Sequence, residues 1–151
     1  MAQESRTTVT GRGMSNESLH DDIGLAMKSL LDRSALNRSP LARLAYVEKA
    51  AKEQYSSHVL PRGLALRVIL ESCIDEVIND LSSEPALKNQ CDYLRMIKNG
   101  VTCKEISRQL GLSREHVSRV CRRKAIELVT EEFLIRIKNS RGALDPLARA
   151  S

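Results

Sequence analysis

The stretch that decides the fold is residues 102–124, TCKEISRQLGLSREHVSRVCRRK. Thr102 and Glu105 stand three apart just ahead of Ile106 and Leu110. This is the spacing of a capping box, in which a hydroxyl and a carboxylate satisfy the free N–H groups at a helix start. Gly111 follows the last apolar residue, and glycine enters the left-handed conformation at no steric cost, so the helix is expected to stop there. Ser113 is a second N-cap, and Val117 and Val120 begin the apolar side of the helix it opens. The segment therefore predicts helix, a three-residue turn Gly111-Leu112-Ser113, and helix. Leu112 plugs the turn, and Ile106, Leu110, Val117 and Val120 share a small core.

The second of these helices is two-sided. With about 100° per residue and Arg114 at 0°, Val117 falls near 300° and Val120 near 240°, which puts the packed side at about 270°. Arg114, Ser118, Arg122, Glu115 and Arg119 then span roughly 0° to 140° on the opposite side. Between residues 114 and 124, the cations Arg114, Arg119, Arg122, Arg123 and Lys124 stand against Glu115 alone. Long cationic donors reach guanine O6 and N7 or phosphate oxygens, and a carboxylate accepts from cytosine N4, so this face holds the groups that read duplex DNA in the major groove. The start of a recognition helix usually reaches base edges, which makes Arg114, Glu115, Ser118 and Arg119 the base-reading candidates, with Arg122 at the border. Arg123 and Lys124 lie further along and are expected at phosphates or solvent. His116 is a candidate phosphate donor, and Ser113 caps the same helix. On the preceding helix Lys104 and Arg108 are placed to hold the phosphate backbone, with Thr102 offering a hydroxyl and a helix N-terminus. A basic run is by itself more often a solvated helix face. Here it coincides with a cap, a glycine turn and an apolar opposite side, and that conjunction carries the reading.

Working outward, the apolar spacing stays helical and no sustained alternation of period two supports a sheet. Leu87, Cys91, Leu94 and Ile97 predict a helix closed by Asn99-Gly100. Toward the N-terminus Leu66, Leu70, Cys73, Ile74, Val77 and Leu81 form a stripe that ends at Ser82-Ser83-Glu84-Pro85, the best internal boundary. Ser39-Pro40 caps a helix with Leu41, Leu44, Val47 and Ala51 on one face, and Ile23, Met27, Leu30 and Leu31 form a first short stripe after Asp21 and Asp22. Ile126, Val129, Phe133 and Ile137 continue the helical spacing beyond the recognition helix. They either pack against residues 21–81 or form a dimer contact, and Thr130-Glu131-Glu132 is a candidate start for a separate helix. The expected organisation is all-α: a disordered head over 1–20, a helical dimerisation or partner region over 21–84, a helix-turn-helix domain over 85–138 and a flexible tail over 139–151.

Composition narrows the function. The chain has 151 residues and a net charge of +5. Residues 1–85 hold 10 basic and 12 acidic side chains and residues 86–151 hold 14 and 7, so the C-terminal part is the one that faces a polyanion. Three Tyr, one Phe and no Trp leave little for stacking single-stranded bases, which favours duplex DNA. Arg67 and Glu71 interrupt the most apolar segment, and the head lacks an apolar run, so neither a membrane span nor a secretory signal is expected. The expected location is the cytoplasm, at the nucleoid. Cys73, Cys91, Cys103 and Cys121 lack the two-residue spacing of a zinc ribbon or redox pair and read as reduced thiols. His20, His58 and His116 are scattered, and no phosphate loop, nucleophile elbow or paired-carboxylate motif is present. An enzyme, a cofactor and a metal site are all unexpected.

The run CKEISRQLGLSREHVSRVCRRKAIEL resembles the fourth-region helix-turn-helix of bacterial sigma factors and, less closely, the output domain of response regulators. The matching features are Glu105-Ile106, the turn Leu110-Gly111-Leu112-Ser113, and Arg114-Glu115 with Val117. The resemblance spans residues 93–137 and implies sequence-directed duplex binding in transcription. The chain departs from the family at Lys124, where small or apolar residues are usual. Residues 21–84 offer only Tyr46 and Tyr55 for capturing flipped promoter bases, which argues against a complete sigma factor. The expectation is a DNA-binding transcriptional regulator that acts on double-stranded DNA, with a homodimer and an RNA polymerase contact as further expected partners. The alternative is a helical interaction protein, sigma-like or an anti-factor partner of the polymerase, that does not itself read DNA.

Overall fold

A computed structural model describes residues 16–53 and 61–144, and among these there is helix but no strand. Helix α1 is Asn16–Lys28, α2 Arg33–Asn37, α3 Ala45–Glu53, α4 Arg62–Leu81, α5 Lys88–Lys98 and α6 Cys103–Leu110. The chain then turns into α7 (Arg114–His116), a π turn over Val117–Cys121, and α8 (Arg122–Leu144). These last three run on without a break, because Arg122 N–H donates to the Val117 carbonyl five residues back and the next turn is already helical.

The local chemistry follows the sequence at most ends. Ser39 Oγ accepts from Leu41 N–H at 3.2 Å, although it caps a 3-10 turn, Pro40–Arg43, and the α-helix starts only at Ala45. Asp32 Oδ1 caps α2 by accepting from Ala35 N–H. Helix α5 ends at Gly100, whose φ of +79° lets Val101 N–H reach the Met96 carbonyl at 3.0 Å. Other ends differ. Helix α1 already covers 16–20, and α8 runs to Leu144 through Thr130–Glu132, so no separate helix starts there. Residues 1–15 of the expected head and 145–151 of the expected tail lie outside the described residues, as does His58.

A continuous core joins the N-terminal helices to α8. Ile23 and Met27 of α1, Leu66, Leu70 and Ile74 of α4, and Ile126, Val129 and Phe133 of α8 are all buried within it. The ring of Phe133 meets that of Tyr46 edge-on, with centroids 6.0 Å apart. At the same junction Arg136 Nη1 donates to Ser72 Oγ at 2.8 Å, while its Nε donates to Glu132 at 3.0 Å. The apolar residues that follow the π turn are thus used inside the chain. Leu31, expected in the first stripe, is instead half-exposed at the end of α1, where the helix has already stopped and its residues no longer share a face.

Candidate nucleic-acid interface

The turn between α6 and α7 is built from its own residues. Thr102 Oγ1 accepts from Glu105 N–H at 3.3 Å and starts α6. The Glu105 carboxylate does not close the capping box. It accepts from Arg108, through Nη2 at 2.7 and 2.8 Å and Nε at 3.1 Å, and from Gln109 at 3.0 Å. The bonds from Gln109 and Arg108 hold this carboxyl below its usual range. Gly111, at φ +70°, ends α6, with its N–H on the Arg108 carbonyl and Leu112 N–H on that of Ser107 at 3.1 Å. The buried Ser107 hydroxyl donates in return to the Leu112 carbonyl, so two residues are stitched together from both sides. Ser113 Oγ then accepts from His116 N–H at 3.0 Å and opens α7.

Ile106 and Val117 are fully buried, with Leu110 and Leu112 packed against the same core. Val120 is not. It is 47% exposed, and Cys121 occupies the buried position in its place. The π turn explains the exchange. A turn closed from i to i+5 holds about 4.4 residues, so Val120 falls about 115° from Val117 instead of about 60°, while Cys121 stays within about 35° of it. Val117, Cys121 and Ala125 therefore stack on the buried side, and Glu115, Arg119 and Arg123 stack on the exposed one. The same turn fixes the direction of the rest of the helix. Val117 and Phe133 are both fully buried, yet 16 residues of unbroken α-helix would set them about 160° apart, and one extra residue in a turn takes up about 100° of that. Lys124, unusual for the family resemblance, lies just past this extra residue and is exposed.

The candidate residues do not form one uniform patch. Arg114, Glu115, His116, Ser118, Arg119 and Arg123 are exposed along the helix that starts at Arg114. Arg119 Nη1 lies 3.2 Å from Glu115, a solvent-facing pair that contributes little stability and opens easily. Arg114, Arg123 and, on α6, Lys104 have no ion-pair partner among the described residues. Arg108 is exposed but forked onto Glu105. Arg122 stands apart. It is half-buried, turned toward the Tyr93 hydroxyl, and near the backbone of Gly24, where an added Cβ would sit 3.3 Å from its guanidinium. Burial pushes the Tyr93 phenol up to about 12.

The neighbourhood of α1 was not legible in the spacing. Helix α1 runs beside the helix that starts at Arg114, so that His20 and Asp21 line a groove with Ser118, Arg119, Arg122 and Arg123. His20 Nε2 is buried there with no hydrogen-bond partner. A second cleft, of about 650 Å³, opens between the end of α1, α5 and the other flank of that helix, with Ser118 and Arg122 in its wall. Among the described residues no three His, Cys, Asp or Glu side chains gather as metal ligands, and no helix is long and apolar enough to cross a membrane. No protein-family model, curated protein or solved structure matches the chain.

Proposed function

We propose that this chain is a DNA-binding transcriptional regulator whose helix from Arg114 onward reads double-stranded DNA in the major groove. The observation that carries the reading is the column Glu115, Arg119 and Arg123, exposed on one side of a helix whose other side is locked into the core. Arg114, Glu115, Ser118 and Arg119, all exposed, supply the donors and the acceptor that base edges require, while Arg123 further along and Lys104 on α6 are the phosphate contacts. The likeness of residues 93–137 to the fourth region of sigma factors supports the same reading. A second copy of the chain on a two-fold site would set two such helices about 34 Å apart. In the competing reading the same face docks on RNA polymerase or an anti-factor without entering DNA.

Gel-shift titration of the full chain against fragmented genomic DNA, at about 50 and 200 mM salt, separates the two readings. The proposal expects binding that weakens steeply with salt. Lys104→Ala should weaken binding to all sequences and lower the salt slope by about one, while Arg119→Ala relaxes sequence preference. Absence of a salt-dependent shift would favour the protein-docking reading, and two variants indistinguishable from wild type would overturn the groove assignment.

A further inference from the structure

We propose that the cleft between the end of α1, α5 and the recognition helix binds a small amphipathic anion, with a single carboxylate head on an apolar body. Its volume, about 650 Å³, falls inside the range of small-molecule sites, roughly 300–1,000 Å³. The apolar part of the lining comes from three separate pieces of chain: Leu30 and Leu31 at the end of α1, Ile97 of α5, and Val101 of the following loop. Leu30 is fully buried and forms the inner surface, whereas Leu31 is 51% exposed at the lip, where it closes on Gly100.

Charge selects the head group. Arg122 and Lys28 both line the cleft, and neither has a carboxylate at ion-pair distance among the described residues. One acid also lines it, Asp32, whose Oδ1 accepts from Ala35 N–H at 3.1 Å as the cap of α2, so Lys28 and Arg122 leave the lining with a positive excess. The half-buried guanidinium of Arg122 lies beside the Tyr93 hydroxyl at the edge of this apolar lining, with Asp21 and Glu127 in the groove on its other side but neither at ion-pair distance. Withdrawing a cation from water without a counter-ion is unfavourable, and a carboxylate that takes both arms of the guanidinium fork restores the balance. The Tyr93 phenol keeps its proton at neutral pH and supplies a further donor to that head. Ser118 and Arg122 belong to the helix proposed to read DNA, so occupancy is expected to alter duplex affinity. That consequence rests on the preceding proposal, and the binding itself does not.

The test is a titration of the full chain, methyl-labelled for NMR, with three probes: decanoate, decanol and inorganic phosphate. The expected result is a saturable shift of the Leu31, Ile97 and Val101 methyl signals with decanoate. Decanol and phosphate, each lacking one half of the ligand, bind at least about tenfold more weakly, the scale of one lost charge-assisted contact. Arg122→Gln brings decanoate down to the level of decanol. The proposal is overturned if decanoate gives no saturable shift, if decanol or phosphate binds as tightly, or if Arg122→Gln keeps the preference for decanoate. The three-probe comparison on the unaltered chain decides the matter even if the variant does not fold.

Discussion

Ser107 and Leu112 exchange two hydrogen bonds across the turn that orients the helix starting at Arg114. Leu112 N–H donates to the Ser107 carbonyl at 3.1 Å, and the Ser107 hydroxyl donates to the Leu112 carbonyl. Ser107→Ala leaves that carbonyl without its buried donor, so urea denaturation should show a loss of about 1–2 kcal/mol. An unchanged midpoint would mean that the hydroxyl contributes nothing to the turn.

The π turn makes opposite forecasts for two neighbouring valines. Val117→Ala removes methyl groups from a fully buried site and should cost about 2 kcal/mol, from lost transfer energy and the cavity left behind. Val120→Ala, at a site 47% exposed, should stay within about 0.5 kcal/mol. Comparable losses at both positions would restore an ordinary α-helical register.

Arg136 ties the far end of the same helix to α4 through Ser72 and holds Glu132 at 3.0 Å. Replacing it with Met keeps the apolar stem but strands a mostly buried carboxylate. Thermal or urea unfolding should register about 2 kcal/mol of destabilisation, and Glu132→Gln in the same background should recover part of it, because the stranded charge is then gone.

The four cysteines separate by access. Cys103 is exposed and the other three are buried, so iodoacetamide at pH 8 should add one label to the native chain and four in urea, counted by intact mass. Burial pushes the Cys73 thiol from 9.0 to about 12. Below pH 9 the native and unfolded states both keep this proton. Between pH 9 and 12 only the native state does, so the unfolded state binds fewer protons and stability should fall as pH rises through that window. Cys73→Ala should flatten the alkaline decline.

Glu115 is the acidic residue of the exposed column and pairs with Arg119 at 3.2 Å. If the column reads DNA, Glu115→Gln removes one repulsion from phosphates and one specific acceptor. Affinity for random-sequence DNA should rise a few-fold, and discrimination among duplexes selected by the wild-type protein should fall, as measured by competition gel shift.

Much of this architecture could be read before any coordinates. The caps at Thr102, Ser113 and Ser39, the stop at Gly111 and the stripe from Leu66 to Leu81 are local signals, and local hydrogen bonding enforces them. The misreadings around the π turn share one cause. Val120 looks buried as long as the helix is assumed to keep 3.6 residues per turn. The extra residue in the turn is demanded by Ala125, Ile126 and Phe133 finding α1 and α4, and that requirement lies some 50 to 100 residues away in the sequence. Arg122 illustrates the same limit. Its spacing places it at the edge of the basic face, but Tyr93 and the passage of α1 at Gly24 give it a half-buried setting that periodicity could not foresee.

The helix that begins at Arg114 does not stop when the exposed column ends; it becomes the centre of the core at Ile126, Val129 and Phe133. The head that this helix and its turn form is therefore not a portable module. A fragment cut at the Ser82-Ser83-Glu84-Pro85 boundary would carry the turn, the caps and the basic column, yet present an uncovered greasy seam to solvent. Transplanting this head onto another protein would require taking α1 and α4 along with it.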